Sequence, residues 1–307
     1  FKQKTAYEIR LSLVGSEMCI RDRAWKDPTP KEEYDVVIIG GGGHGLATAY
    51  YLAKEHNITN VAIIEKGWIG GGNVGRNTTI IRSNYMHDEN GLFSEFGMDL
   101  WRKMSQDLNY NVMFSPRGII NLAHSDAQMN AYARRGNSMR LNGIDAVLLN
   151  REQVKEIIPM ADFSENVRFP IFGGLMQPSA GTARHDAVAW GYARQADSMG
   201  VDIIQNCEVI GFDVSAGKIK GIRTSRGNIK AKKVGICVAG STNILAEKLN
   251  MTLPIETHLL QACVSEPVKP VLDNVVTFGA GHFYVSQSDK GEMVMGGDLD
   301  GYNSYAQ

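Results

Sequence analysis

Apolar and polar positions divide the chain into short blocks with two different periods. Asp35–Ile39 (DVVII) is apolar after its first residue, the pattern of a parallel strand buried on both faces. A helical pattern follows through Leu46–His56, and Val61–Ile64 (VAII) predicts a second buried strand ending at Glu65. Strand, helix and strand make a βαβ unit. Residues 66–85 hold too much Gly and Asn for a regular element. Helical periodicity returns near 89–107 and 125–142, on either side of the strand-like Gly118–Ala123. A helix over 186–199 precedes strands at 201–205, 207–214 and 218–225, the last two joined as a hairpin through Ser215–Gly217. Val234–Val238 (VGICV) predicts a strand running into Ala239-Gly240 and a helix at 241–249. Residues 257–266 and 282–298 alternate as half-buried antiparallel strands do. No internal repeat or low-complexity tract interrupts this order.

Both ends break the pattern. Residues 1–23 share no pattern with the rest of the chain and resemble a translated sequencing-adapter read. They lack the unbroken apolar core and small-residue cleavage site of a secretory signal, so they are set aside from the fold, with Cys19. The chain stops at YNSYAQ directly after a strand-like run and reads as a C-terminally truncated fragment. The expected fold is α/β (α+β overall). A Rossmann-like dinucleotide domain comes from 24–88 and 155–255, and an inserted, mainly antiparallel substrate domain from 89–154 and 256–307.

Composition narrows the partners. A net charge of −1 argues against a nucleic-acid footprint or a membrane-surface field. No apolar run reaches the ~18 residues of a membrane span. The four cysteines include no CxxC pair; Cys237 and Cys263 lie in apolar strand-like runs and read as buried free thiols in a reducing cytoplasm. His56, His87, His124, His258 and His282 share no metal-ligand spacing, and no metal is expected.

The strongest chemical signal is GGGGHG at 40–45. Gly40, Gly42 and Gly45 occupy the G-x-G-x-x-G positions: a tight turn, room for backbone amides at a pyrophosphate, and close helix packing. Gly43 and His44 complete the loop, and the helix N-terminus behind it suits a diphosphate. Glu65 lies at the end of the second strand, 20 residues past Gly45, where a carboxylate accepts from ribose hydroxyls. An acid there disfavours NADP but does not separate NAD from FAD.

The next stretch does. Glu65-Lys66-Gly67, Gly70–Asn73 and Arg76-Asn77-Thr78-Thr79 resemble the glycine-rich segment of FAD-dependent amine and amino-acid oxidases. The resemblance implies that Lys66, Gly72, Asn73, Arg76, Asn77, Thr78 and Thr79 pass along an FAD. It further implies that Ala239 and Gly240 make a second contact with the dinucleotide and that the Val209 backbone meets adenine. From Glu33 to Gln307 the chain resembles the beta subunits of heterotetrameric sarcosine oxidases. The carrying stretches are YDVVIIGGGGHGLATAYYLAKEHNITNVAIIEKGW, NTTIIRSNY, SQDLNYNVMFSPRGIINLAH, ARHDAVAWGYAR and GVDIIQNCEV.

That resemblance implies a noncovalent FAD, sarcosine as substrate, O2 as acceptor giving H2O2, alpha, gamma and delta partner subunits, and tetrahydrofolate reached through the alpha subunit. It also implies an FMN attached covalently to the histidine of ARHDAVAW, here His185. A helix start disfavours the imidazolium, which suits a nitrogen that must attack as a neutral nucleophile. Arg184 beside it is a candidate to stabilise negative charge on the flavin. Arg82, in TIIRSNY, is the candidate for the substrate carboxylate, since a planar guanidinium fits it bidentately; Tyr284 is the second pocket candidate. A dehydrogenase of another secondary amine or amino acid (dimethylglycine, proline, glycine) and a non-catalytic flavin-binding subunit are the rival readings.

Overall fold

The computed structural model describes residues 24–164, 166–279, 281 and 283–303. The leader 1–23, Cys19 and His282 lie outside them. In chain order the elements are β1 (Glu33–Ile39), α1 (Gly43–His56), β2 (Val61–Ile64), β3 (Ile80–Ile81), α2 (Asp88–Asp107), β4 (Ile119–Ala123), α3 (Asp126–Leu141), β5 (Val147–Asn150) and α4 (Arg151–Ile157). They continue with β6 (Gly173–Gln177), β7 (Gly181–Thr182), α5 (His185–Ser198), β8 (Asp202–Ile204), β9 (Val209–Ser215), β10 (Lys218–Thr224), β11 (Gly227–Ile236) and α6 (Thr242–Glu247). The last four are β12 (His258–Pro267), β13 (Val275–Phe278), β14 (Phe283–Gln287) and β15 (Glu292–Asn303). The chain divides into two units, residues up to Gly71 with Tyr192–Thr252, and Gly72–Gly191 with Leu253 onward.

The first unit is a six-stranded sheet in the order β8-β2-β1-β11-β10-β9. β8, β2, β1 and β11 run parallel, and β10 and β9 complete it antiparallel. Its core holds Val37, Ile39, Ala62, Ile64, Ile204, Phe212, Ile222 and Ile229, so the apolar runs of β1 and β2 are buried as their pattern demands. The β9–β10 hairpin turns through Ala216 and Gly217, both at positive φ (51° and 71°), which suits the right-handed strand twist. β11 starts at Gly227, seven residues before the expected 234. There Ile229 and Ala231 are buried between exposed Lys230 and Lys232, an alternation that a search for apolar runs passes over.

The second unit carries a seven-stranded sheet, β12-β15-β14-β13-β4-β6-β5. One face buries Ile120, Leu122 and Val276 against Val154 and Ile158 at α4. On the other, Leu175 packs with Met139 and Ile144. Cross-strand pairing sets Leu175, Asn121, Thr277, Tyr284 and Gly296 in one row, from β6 to β15, and directly paired residues share a face. Segments 72–88 and 155–191, expected with the dinucleotide fold, group with this unit, because β6 pairs with β4 and β5, and β3 with β7. β5, α4, β6 and β13 were not anticipated. β5 and β6 are four or five residues long and glycine-interrupted or half-exposed, and too little periodicity remains to read. Residues 283–303 form two strands, β14 and β15, separated by a turn in which Gly291 stands at φ 94°. β12 has one neighbour, β15, and is exposed along most of its length. Cys263 is therefore an exposed thiol, and Cys237 is half-buried; only Cys207 is fully buried among the described cysteines.

Candidate functional site

In the first unit the glycine loop is built by exclusion of side chains. Gly40 stands at φ 109°, and a Cβ there would fall inside the shell of the Cys237 carbonyl. Gly45 is equally constrained, because a Cβ would collide with the carbonyl oxygen of Gly40. This glycine lets the helix fold back onto its own loop, and α1 begins at Gly43, earlier than the expected Leu46. Gly42 is the helix N-cap, with extended backbone and no side-chain cap, leaving the first-turn amides to an anion. His44 is exposed on that first turn.

Glu65 does more than wait for a ribose. Its Oε2 accepts from the Gly41 amide at 2.7 Å and its Oε1 from the Gly67 amide at 2.8 Å. The carboxylate thus ties the end of β2 to the glycine loop, and each oxygen keeps a further lone pair for a ribose hydroxyl. Lys66 is exposed beside it. Ala239 (φ 48°) and Gly240 follow Cys237, whose amide donates to the Ile39 carbonyl at 2.8 Å, so this turn adjoins the loop. Val209 has its side chain in the core with Ile39 and Ile64, and only its backbone is available to a base.

In the second unit, Gly72, Asn73, Arg76 and Asn77 are exposed around a short 3-10 turn. Asn77 accepts from the Thr79 amide at 2.7 Å, and Thr79 stands at φ 64°; Thr78 lies between them. The bend delivers the chain into β3, which pairs with β7. Thr79–Ile81 and Gly181–Ala183 therefore lie side by side. His185 is the first residue of α5. Its Nδ1 is buried and has no hydrogen-bond partner among the described residues, an orphaned nitrogen that fits a covalent attachment. Arg184 is already compensated, at 3.2 Å from Asp186 and 3.1 Å from Asp289. Those carboxylates, Asp186 foremost, hold its guanidinium above the usual range, so it is a poor source of free positive charge for a flavin.

Arg82 differs. Its Nη1 donates to the Asn84 side chain at 2.7 Å, and its guanidinium lies 4.4 Å from the Tyr85 ring centroid. No carboxylate pairs with it among the described residues. Asn84 Nδ2 donates to Asn121 Oδ1 at 2.7 Å, and Asn121 in turn donates to Thr277. Ser83 is fixed from the other side: its amide donates to Gln177 Oε1 at 3.0 Å, and its hydroxyl donates to Glu95 at 2.5 Å. Tyr284 shares the sheet row of Asn121 and Thr277, on the face that Asn84 meets, and its hydroxyl lies over Gly296. Asn84, Asn121, Arg135, Gln177 and Thr277 were not anticipated. The available signal was a polar residue inside an apolar strand, as in IINLA and GGLMQ. Among the described residues, no group of His, Cys, Asp or Glu is placed to hold a metal, and no helix is long and apolar enough to cross a membrane.

A βαβ cradle with its glycine loop and its acid at the strand end defines a class, the dinucleotide-binding oxidoreductases. The family model for FAD dependent oxidoreductases matches residues 35–306. The chain is 63% identical over 284 residues to sarcosine oxidase subunit beta of Rhizobium meliloti, covering 92% of this chain and 68% of that protein. It is 52% identical to the subunit of the same name from Arthrobacter sp, over 92% of this chain and 70% of that one. The crystal structure of L-proline dehydrogenase from P. horikoshii superposes with a TM-score of 0.82 at 28% identity, covering 89% of this chain and 71% of that chain. The chain belongs to the FAD-dependent oxidoreductase family, in the branch of the sarcosine oxidase beta subunits.

Proposed function

We propose that this chain is the FAD-bearing subunit of a multi-subunit enzyme that oxidises sarcosine. Gly40, Gly42, Gly43, Gly45 and Glu65 would hold the dinucleotide, with Ala239-Gly240 closing the loop. Bound FAD supplies the two-electron acceptor chemistry at the amine. The protein's part is to bind and orient: Arg82 takes the substrate carboxylate, and Tyr284 borders the same sheet face. The observation that carries this reading is the Arg82 guanidinium, held by Asn84 and Tyr85 with no carboxylate pairing among the described residues. In full-length assembled protein, anaerobic sarcosine should bleach the oxidised-flavin absorbance, and proline should not. The likeness to a proline dehydrogenase makes proline the sharpest competitor; bleaching by proline alone would reassign the substrate.

His185 is the proposed attachment point of a covalent FMN, supported by its buried, unpartnered Nδ1 at a helix start. H2O2 as the reduced product of oxygen, and delivery of the one-carbon unit through an alpha subunit, belong to the same proposal. Acid precipitation should release FAD and leave a second flavin on the polypeptide, with a peptide spanning 181–194 heavier by one FMN. An unmodified 181–194 peptide from flavin-replete enzyme would remove His185 from this role.

A further inference from the structure

Arg82 is one of two guanidinium groups in this cluster that have no carboxylate partner among the described residues. Arg135, on α3, donates from Nη2 to the Asn84 carbonyl, while its Nε is buried and has no hydrogen-bond partner among the described residues. No carboxylate pairs with it among those residues either. Asn84 is thus gripped twice, its side chain by Arg82 and Asn121 and its backbone by Arg135. Burial, and next the neighbouring charge of Arg82, hold the Arg135 guanidinium below its usual range; the two cations therefore feel each other. Two like charges in a half-buried site, neither paired with a carboxylate among the described residues, are an unfavourable arrangement that an incoming carboxylate relieves. The other groups that act on the Arg135 charge are the neutral Tyr132 and Tyr85, and the Glu95 carboxylate of the cluster is engaged by the Ser83 hydroxyl and by Arg102.

Resting on the reading of Arg82 as the carboxylate anchor, we propose that Arg135 is a positioning residue for it. Arg135 pins the 82–85 loop through the Asn84 carbonyl and adds the second positive charge that makes the site selective for an anionic substrate. It acts through Asn84 and through the field.

The test uses the full-length assembled enzyme with flavin content measured for every variant. Arg135→Met should raise the KM for sarcosine and weaken inhibition by acetate in parallel, each by about tenfold, the worth of one charge-assisted contact. Flavin content should not change, and kcat should stay within about threefold, because orientation rather than the reacting atoms is disturbed. Half-saturation for N-methylglycinamide, the uncharged counterpart of sarcosine, should not move. Arg135→Lys, which keeps the charge but loses the fork, should recover most of the acetate affinity. Arg134→Met, at the exposed neighbour on the same helix, should match wild type. Unchanged acetate inhibition in flavin-replete Arg135→Met would overturn the proposal, as would an equal loss for acetate and the amide, the mark of a merely structural role. If Arg135→Met does not accumulate folded, Arg135→Gln, which removes the charge but keeps a donor, carries the decision: acetate weakened with the amide unmoved supports the proposal, and acetate unchanged or both weakened alike overturns it. Arg82→Met separates the two layers. Acetate affinity lost there but kept in Arg135→Met sinks only the role of Arg135, whereas acetate affinity kept in Arg82→Met sinks the anchor itself.

Discussion

The dinucleotide cradle and the Arg82 cluster are built by opposite means. The cradle is local in sequence and made of absences: glycines at 40 and 45 where any Cβ collides with backbone, and a carboxylate reaching back 24 residues from Glu65 to Gly41. The Arg82 cluster is made of side chains brought from afar, with Ser83 bonded to Gln177 across 94 residues and Asn121 to Thr277 across 156. A loop that must fit a diphosphate tolerates almost no substitution. A polar cluster spread over several strands and a helix degrades in steps, because each contact carries a fraction of the orientation.

That contrast is open to breakage, beginning with the largest effect. Gly45→Val should abolish flavin binding, since a branched side chain cannot coexist with the Gly40 carbonyl, and overpacking of this kind costs about 1–3 kcal/mol before any ligand is considered. The check is the flavin content of purified full-length protein; a wild-type content would mean that the loop is softer than described. His185→Asn should lose only the covalent flavin and retain FAD, read by acid precipitation. Loss of both flavins would contradict this. Glu65→Gln should weaken FAD by about tenfold, because one of the amides of Gly41 and Gly67 would then face an NH2 group instead of an oxygen. Fluorescence titration of apoprotein measures this.

The smallest effect tests the sheet beneath the cradle. The Tyr34 hydroxyl donates to Asp202 at 2.9 Å and accepts from the Lys31 amide at 3.0 Å. Burial, with the Asp202 contact added, pushes its pKa up to about 12. The folded state holds this proton more tightly than the unfolded chain, whose tyrosine titrates near 10. Its contribution is therefore complete below about pH 10 and is lost as pH rises towards about 12. Tyr34→Phe should lower stability at neutral pH by about 1 kcal/mol and flatten the decline between those pH values. Urea midpoints across the alkaline range decide it; an unchanged decline would assign it to another group.

Much of the first unit was legible because its signals sit within one βαβ unit: the run of β1, the glycines, the acid at the end of β2. Where reading failed there, as at the start of β11, the cause was alternation with lysines that masked a buried Ile229 and Ala231. In the second unit, Arg82 and His185 carry no local pattern and were singled out through resemblance. Their surroundings were not, because Asn84, Asn121 and Arg135 acquire meaning from sheet register and from the packing of α3, which no local window contains. Arg184 shows the converse error. Adjacency to His185 suggested a free charge, and the fold supplied two carboxylates.

The central claim is that Arg82 anchors the carboxylate of sarcosine in a site separable from the cradle. Anaerobic titration of full-length enzyme with sarcosine, followed by flavin bleaching, tests it directly in wild type and Arg82→Lys. The account predicts equal flavin content and a sarcosine concentration for half-reduction raised about tenfold or more in the variant, as a point charge replaces a planar fork. Superimposable titration curves would contradict it.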